Sequence, residues 1–367
     1  MRIIVSGGGT GGHIYPAIAI IEEFIKLYPD TEVLYIGRKN SLESILVPNQ
    51  GYIFKGITAS PLSRKSIKKI FRTGGDTIKG ISESKKIIKE FNPDFVIGTG
   101  GFVTGPVLYA AHKLRKKVFF HEQNSYPGVT NKILSRYADK YFVTFKESLK
   151  YFKNQENGII TGNPIRNKFL NIDEIREEAM FHMGFKNNNK NILVFGGSNG
   201  SGKLNQVFKE MINENLKQDD FNLFFVTGKN NYDSFVKDMK VLPNVKVYPY
   251  LDNIQEAYAI SDLVITSSGA ITLAELSYLG MPSILVPKAY TTENHQVYNA
   301  LEFKNKGAAL MIEEKDLDVD HLKKKIVELL NDDNRLNQMG KRAKEFETPN
   351  AGYEIVQEIV KVGNNGK

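Results

Sequence analysis

The sequence predicts an α/β protein made of two tandem, doubly wound domains, each on a parallel sheet. Three observations carry that expectation. Short Val-, Ile- and Phe-rich runs alternate with helical stretches, the pattern of a sheet covered on both faces. The alternation runs through the first half and restarts at Asn191. Each round opens on a strand that leads straight into a glycine-rich loop.

In the first round, Ile3–Ser6 reads as a strand, followed by a glycine loop and a helix at Pro16–Tyr28. Thr31–Ile36 and Phe95–Gly98 are further strands; a second glycine loop and the helix Pro106–Leu114 follow the latter. Lys117–Phe120, Tyr141–Val143 and Gly158–Thr161 complete the round. In the second, Asn191–Phe195 leads into a third glycine loop, and Leu223–Thr227, Val245–Val247, Leu263–Thr266 and Ser283–Val286 are strands. The boundary falls near Asn163, giving domains 1–163 and 164–345. Segment 346–367 holds a helix, Asn350–Val362, expected to cross back to the first domain, and a polar tail. Two such domains would face a central cleft lined by strand C-terminal ends, where open α/β sheets bind ligands.

The chain of 367 residues has 41% hydrophobic residues, enough for two cores. It has no cysteine, which excludes disulfides, thiolate catalysis and cysteine metal sites. The run Met1–Val5 is too short for a signal peptide, and no stretch reaches the ~18 apolar residues of a membrane span. A cytoplasmic protein is therefore expected. The net charge of +8 admits three partners: nucleic acid, an anionic membrane or a polyanionic substrate.

Gly7–His13 follows the first strand and opens a helix, so backbone N–H groups can meet an anion there. Gly7, Gly9 and Gly12 match G-x-G-x-x-G, but Gly37-Arg38 stands where a dinucleotide enzyme wants an acidic residue; an arginine leaves an NADP enzyme as an alternative. Gly100–Pro106 is a second such loop, its proline suited to a helix start. Gly196–Lys203 nearly fits the Walker pattern, yet Leu204 replaces the Mg²⁺-binding hydroxyl, so a metal-free diphosphate site is the better reading.

His13 closes the first loop, where a helix N-terminus favours the neutral imidazole and hence a general base; a capping histidine is the competing reading. His121-Glu122-Gln123-Asn124 follows an apolar strand and reads as a polar site wall: Asn124 for an amide, Glu122 or His121 for orientation or proton transfer. Ser267–Glu275 follows another strand; its helix is expected to begin near Gly269, with Glu275 able to accept two ribose hydroxyls. Thr292–Gln296 is placed to meet sugar hydroxyls. No His/Asp/Glu spacing resembles a metal site.

Taken together these motifs, with Thr161–Arg166, resemble in order and over nearly the whole chain the MurG family, the UDP-N-acetylglucosamine:lipid I transferases of peptidoglycan synthesis. The resemblance implies the GT-B architecture and metal-independent, inverting transfer of N-acetylglucosamine to the muramyl C4 hydroxyl of lipid I, giving lipid II. It implies that the second domain binds UDP-N-acetylglucosamine: Glu275 at the ribose, Leu251 backbone at the uracil, Ser198 and Arg166 at the diphosphate, and Ala270, Ile271, Gln296 and Asn124 at the sugar. Thr10, Gly11 and Gly12 join the donor set, and Gly11, Gly12, Gly101, Thr104 and Gly105 are expected at the acceptor diphosphate, with His13 as base. No cofactor is implied, and contacts with other cell-wall or division proteins are. Three positions depart from the family: Phe102 where tyrosine is usual, Ser267 where arginine is common, with Lys203 as its stand-in, and His295 where a second glutamine occurs.

Arg64–Arg72 interleaves cations with Ile67, Ile70 and Phe71; Lys68 and Lys69 flank that apolar face. Such a helix suits anionic inner-leaflet lipid, and the family is similar in using its acceptor domain as a peripheral membrane surface. No nucleic-acid motif is present. The remaining alternatives are a related glycolipid transferase with another acceptor, an NADP-dependent dehydrogenase, and a nucleotide-sugar-binding regulator without turnover.

Overall fold

The computed structural model describes residues 1–61, 67–185, 187–197, 200–217, 220–288 and 294–364, the side chains of 67–72, 215 and 364 excepted. The chain divides into two compact units, Met1–Asn167 with Thr348–Lys367, and Lys168–Glu347.

The first unit runs β1 (Arg2–Gly7), α1 (Gly11–Leu27), β2 (Glu32–Arg38), α2 (Glu43–Asn49), β3 (Ile53–Ile57), α3 (Ile67–Phe91), β4 (Phe95–Gly100), α4 (Thr104–Lys113), β5 (Lys117–Glu122), α5 (Val129–Leu134), β6 (Lys140–Val143) and β7 (Gly158–Ile160). Its strands pair in the order β3-β2-β1-β4-β5-β6-β7, and every pairing is parallel. The strand order reverses between β1 and β4, the switch point at which the two neighbouring loops part to opposite faces. Ile4, Val96, Val118 and Phe120 bury on one face of this sheet and Ile3, Val5, Ile97 and Phe119 on the other.

The second unit runs α6 (Arg176–Met183), β8 (Asn191–Phe195), α7 (Gly202–Glu210), β9 (Asn222–Val226), α8 (Tyr232–Val236), β10 (Val245–Tyr248), α9 (Ile254–Ala259), β11 (Leu263–Thr266), α10 (Ala270–Leu279), β12 (Ser283–Leu285), α11 (His295–Asn305), β13 (Ala309–Met311), α12 (Val319–Leu330) and α13 (Asp333–Lys344). Its order is β10-β9-β8-β11-β12-β13, with the switch between β8 and β11. The last helix, α14 (Ala351–Asn364), belongs to the first unit: Ile355, Val356 and Ile359 are buried with Ile14, Ile18 and Ile21 of α1. Each of those three contributes roughly 1.5–3 kcal/mol by leaving water.

Several expectations change. The first helix starts at Gly11, not Pro16. Proline suits a first turn, but here it sits in the sixth position, and the cost is the lost bond to the Gly12 carbonyl. β5 extends through His121 and Glu122, which are 0% and 2% exposed, so they end a strand instead of following it. β3 and β13 are strands the sequence pattern did not reveal. No described helix is long and apolar enough to cross a membrane. Of the basic segment, residues 62–66 lie outside the described residues; α3 begins at Ile67, but the side chains of Ile67, Lys68, Lys69, Ile70 and Phe71 are not described.

Candidate functional site

Each sheet carries glycine loops at its switch point. In the first unit the loops after β1 and β4 lock together through backbone: Gly8 N donates to the Gly100 carbonyl at 3.3 Å. Gly100 and Gly101 have φ of +104° and +86°, and a methyl at Gly101 would overlap the Gly8 carbonyl oxygen. Only glycine permits both the conformation and the contact.

The loop amides are not equivalent. Gly8 N is spent on Gly100, and Gly9 N donates to the Glu43 carboxylate at 3.1 Å. Glu43 is 0% exposed and also accepts from Arg38 N at 3.1 Å, tying the loop after β1 to the loop after β2. The start of α1 differs: Gly12 is exposed there beside Thr10, the N-cap. Gly11 is buried there. On the other loop, Gly101 and Gly105 are half-buried. Thr104, expected at a ligand, is 0% exposed, and its hydroxyl lies 2.7 Å from the Gly100 carbonyl and 3.1 Å from that of Ser6; it braces the loop from beneath. Phe102 lies over Gly9, with the Arg38 guanidinium 5.8 Å from its ring centre.

His13 is half-buried on the first turn of α1. Its Nδ1 lies 3.1 Å from the Gly8 carbonyl, which can only accept. Nδ1 therefore carries the proton in the neutral ring and Nε2 is the basic nitrogen. The Nε2 edge faces Gly100, where a methyl would stand 3.1 Å from it.

The polar wall is organised differently from a set of independent reactive groups. Gln123 Nε2 donates to the Thr99 carbonyl at 2.8 Å and reaches His121 Nδ1 at 3.1 Å, so His121 Nε2 carries the hydrogen given to the Gly162 carbonyl at 2.8 Å. Burial lowers the His121 pKa from 6.5 to about 4, against the raising effect of that carbonyl, and the ring is neutral. Glu122 accepts from four donors: Asn124 N at 3.0 Å, Asn124 Nδ2 at 3.1 Å, Gly128 N at 3.0 Å and Asn131 Nδ2 at 2.8 Å. Both oxygens are engaged, so this carboxylate holds Asn124 in one orientation. Arg166 stacks its guanidinium 4.0 Å above the Tyr15 ring.

In the second unit the loop after β8 has Gly197 and Gly200 at φ +79° and +72°, and Ser201 caps α7 by accepting from Leu204 N at 3.4 Å. A methyl on Gly197 would lie 3.5 Å from Ser267 Oγ, so this loop runs beside the end of β11. α10 begins at Ala270 with Gly269 as N-cap, as its sequence predicted. Ser268 Oγ donates to the Gln296 carbonyl at 2.6 Å. Gln296 Oε1 accepts from Lys288 N at 3.0 Å. Glu275 is 6% exposed on α10, and Tyr258 Oη reaches its carboxylate at 3.4 Å. Leu251 follows β10, and Ile271 is half-buried in the first turn of α10. Ser198, Thr292 and Glu293 lie outside the described residues. Lys203 is the second residue of α7 and half-buried.

Sequence reasoning missed Glu43, Asn131 and Lys288. Glu43 and Asn131 carry no local signal. Lys288 carried one, a lysine just past the end of an apolar strand in a fold whose strand ends line ligand sites. Among the described residues no three or more His, Asp or Glu groups cluster to hold a metal ion.

Residues 3–143 match the glycosyltransferase family 28 N-terminal domain, and residues 191–355 match its C-terminal domain. A UDP-N-acetylglucosamine--N-acetylmuramyl-(pentapeptide) pyrophosphoryl-undecaprenol N-acetylglucosamine transferase of Finegoldia magna is 53% identical over 99% of this chain and 98% of its own. The protein of that name from Clostridioides difficile is 41% identical over 100% of this chain and 90% of its own. Among solved structures, Acinetobacter baumannii MurG superposes with a TM-score of 0.72 at 25% identity, covering 98% of this chain and 99% of that one. A UDP-GlcNAc 2-epimerase from Neisseria meningitidis, bound to UDP-GlcNAc, shares the fold at a TM-score of 0.69 and 16% identity, over 98% of this chain and 100% of that one. With both domains of the family matched and more than half of all positions shared with a full-length relative, the chain belongs to glycosyltransferase family 28 and, within it, to the MurG family, with the GT-B fold of two Rossmann-like domains.

Proposed function

We propose that this chain is an inverting hexosyltransferase that moves N-acetylglucosamine from UDP-N-acetylglucosamine to the muramyl C4 hydroxyl of lipid I, forming the β-1,4 link of lipid II and releasing UDP. The observation that carries this is 53% identity over 99% of the chain to a transferase named for that reaction. The first unit takes the acceptor and the second the donor.

The residue roles follow from the local chemistry. His13 Nε2 removes the proton of the acceptor hydroxyl as its oxygen attacks the sugar C1. Its Nδ1 contact with the Gly8 carbonyl holds the tautomer this needs. The C1–oxygen bond to the β-phosphate breaks on the opposite face, and UDP leaves with the electron pair. The glycine loop and α7 start stabilise the charge on that leaving group. The Gly11–Gly12 helix start, with Gly101 and Gly105, receives the lipid diphosphate. Glu275 accepts the ribose hydroxyls, Leu251 backbone meets the uracil, and Ala270, Ile271, Gln296 and Asn124 meet the sugar. Thr10, Gly11, Gly12, Arg166 and Ser198 complete the donor set. No metal is required, and the enzyme works peripherally at the cytoplasmic face of the membrane through Ile67, Lys68, Lys69, Ile70 and Phe71.

Acceptor-dependent UDP release in the presence of EDTA tests the reaction and its metal independence together. Release that EDTA abolishes, and that added Mg²⁺ restores, contradicts the metal-free mechanism.

A further inference from the structure

Lys288 directly follows Pro287, just past β12. Its ammonium donates to the Gly200 carbonyl at 2.6 Å, beneath the glycine loop that opens α7. Its own backbone N–H is held by Gln296 Oε1. The side chain therefore joins, across 88 residues of sequence, the glycine loop and the segment that carries Gln296. Burial pulls the Lys288 pKa down, and Glu314 only partly offsets this. The ammonium is thus held, against the effect of burial, at the glycine loop. The first turn of α7 holds no acidic residue of its own, and the carboxylate at its cap is that of Glu314, whose Oε1 lies 3.5 Å from Ser201 Oγ. Positive charge and N–H donors thus converge on one loop.

We propose that Lys288 is a donor-binding residue that meets the diphosphate of the nucleotide sugar and takes up its charge as the nucleoside diphosphate leaves. The assignment rests on the donor-site reading above. It gives Lys288 the compensating role for Ser267 that the sequence assigned to Lys203. Lys203 stands on α7 itself, whereas Lys288 reaches the loop at Gly200, the residue just before the helix cap.

Calorimetric titration of UDP and UMP against wild type, Lys288→Gln, Lys288→Met and Lys203→Gln separates the possibilities, because only UDP carries the second phosphate. Lys288→Gln weakens UDP binding about tenfold, the scale of one charge-assisted hydrogen bond, and UMP binding less than about twofold. Lys288→Met keeps the volume of the stem without its charge, gives the same selective loss, and serves if the glutamine variant fails to fold. Lys203→Gln has the smaller effect on UDP. Equal losses for UDP and UMP would reduce Lys288 to a structural brace and overturn the assignment. So would a full UDP loss in Lys203→Gln with none at Lys288. A wild-type protein that binds neither nucleotide removes the donor-site reading instead, and Lys288 with it.

Discussion

The two switch points use one device with different electrostatics. Both place a glycine loop between a buried strand and a helix start. In the first unit the supporting groups are carboxylates and carbonyls: Glu43 holds Gly9 N, and Glu122 holds Asn124. In the second, the Lys288 ammonium holds the Gly200 carbonyl, and the Glu314 carboxylate lies 3.5 Å from Ser201 Oγ on the same loop. The difference follows the chemistry proposed for each. Stabilising a departing diphosphate calls for a nearby cation. Taking a proton from a hydroxyl calls for a neutral histidine, and the Gly8 carbonyl at Nδ1 serves that by fixing which nitrogen is basic.

The largest effect expected from this contrast is at His13. His13→Ala lowers kcat by about 10²–10⁴-fold with little change in the donor KM, as steady-state kinetics would measure. A kcat within about threefold of wild type would remove the general-base assignment. Backbone comes next. Gly101→Ala forces a side chain into φ +86° and onto the Gly8 carbonyl, costing about 3 kcal/mol in denaturant unfolding. Gly202→Ala, at the open start of α7 with nothing within 4 Å of the added methyl, is neutral to within about 0.5 kcal/mol. Equal losses at both would show that the interlock of the first unit is not what its glycines serve.

His121 sharpens the comparison through pH. Its folded pKa of about 4 lies below the usual 6.5, so the unfolded chain binds the proton first as pH falls. The stability it contributes is full above pH 6.5 and is lost on descending toward pH 4, by about 3 kcal/mol in total. His121→Gln flattens that part of the stability–pH curve; an unchanged curve contradicts the buried neutral ring. A smaller catalytic effect is expected at the donor: Glu275→Gln raises the UDP-N-acetylglucosamine KM about tenfold and leaves the acceptor KM unchanged. A rise in the acceptor KM alone would move Glu275 out of the donor site.

Much of this architecture was legible in the chain because it is written locally. An apolar strand ending in glycines announces itself, and Asn191–Phe195 and Leu263–Thr266 lie where the pattern put them. What was not legible depends on distant neighbours. β3 carries Lys55 and Gly56 within an edge strand, which breaks the apolar run, and β13 spans only Ala309–Met311. His121 and Glu122 read as a polar loop because their burial is created by Gly162, Gln123 and Asn131. Glu43 lies 34 residues from Gly9, and Lys288 lies 88 from Gly200, so no window of sequence shows either contact. Thr104 presents the opposite case. Its place in a glycine loop suggests a ligand, but its first-turn hydroxyl turns back onto the loop's own carbonyl.

Transfer from UDP-N-acetylglucosamine to lipid I is read directly as UDP release with a short-chain lipid I analogue, with product identified by mass. Release that requires the acceptor, with one N-acetylhexosamine added to it and with EDTA leaving the rate unchanged, is the predicted result. Tight binding of UDP-N-acetylglucosamine without sugar transfer to that acceptor would contradict it.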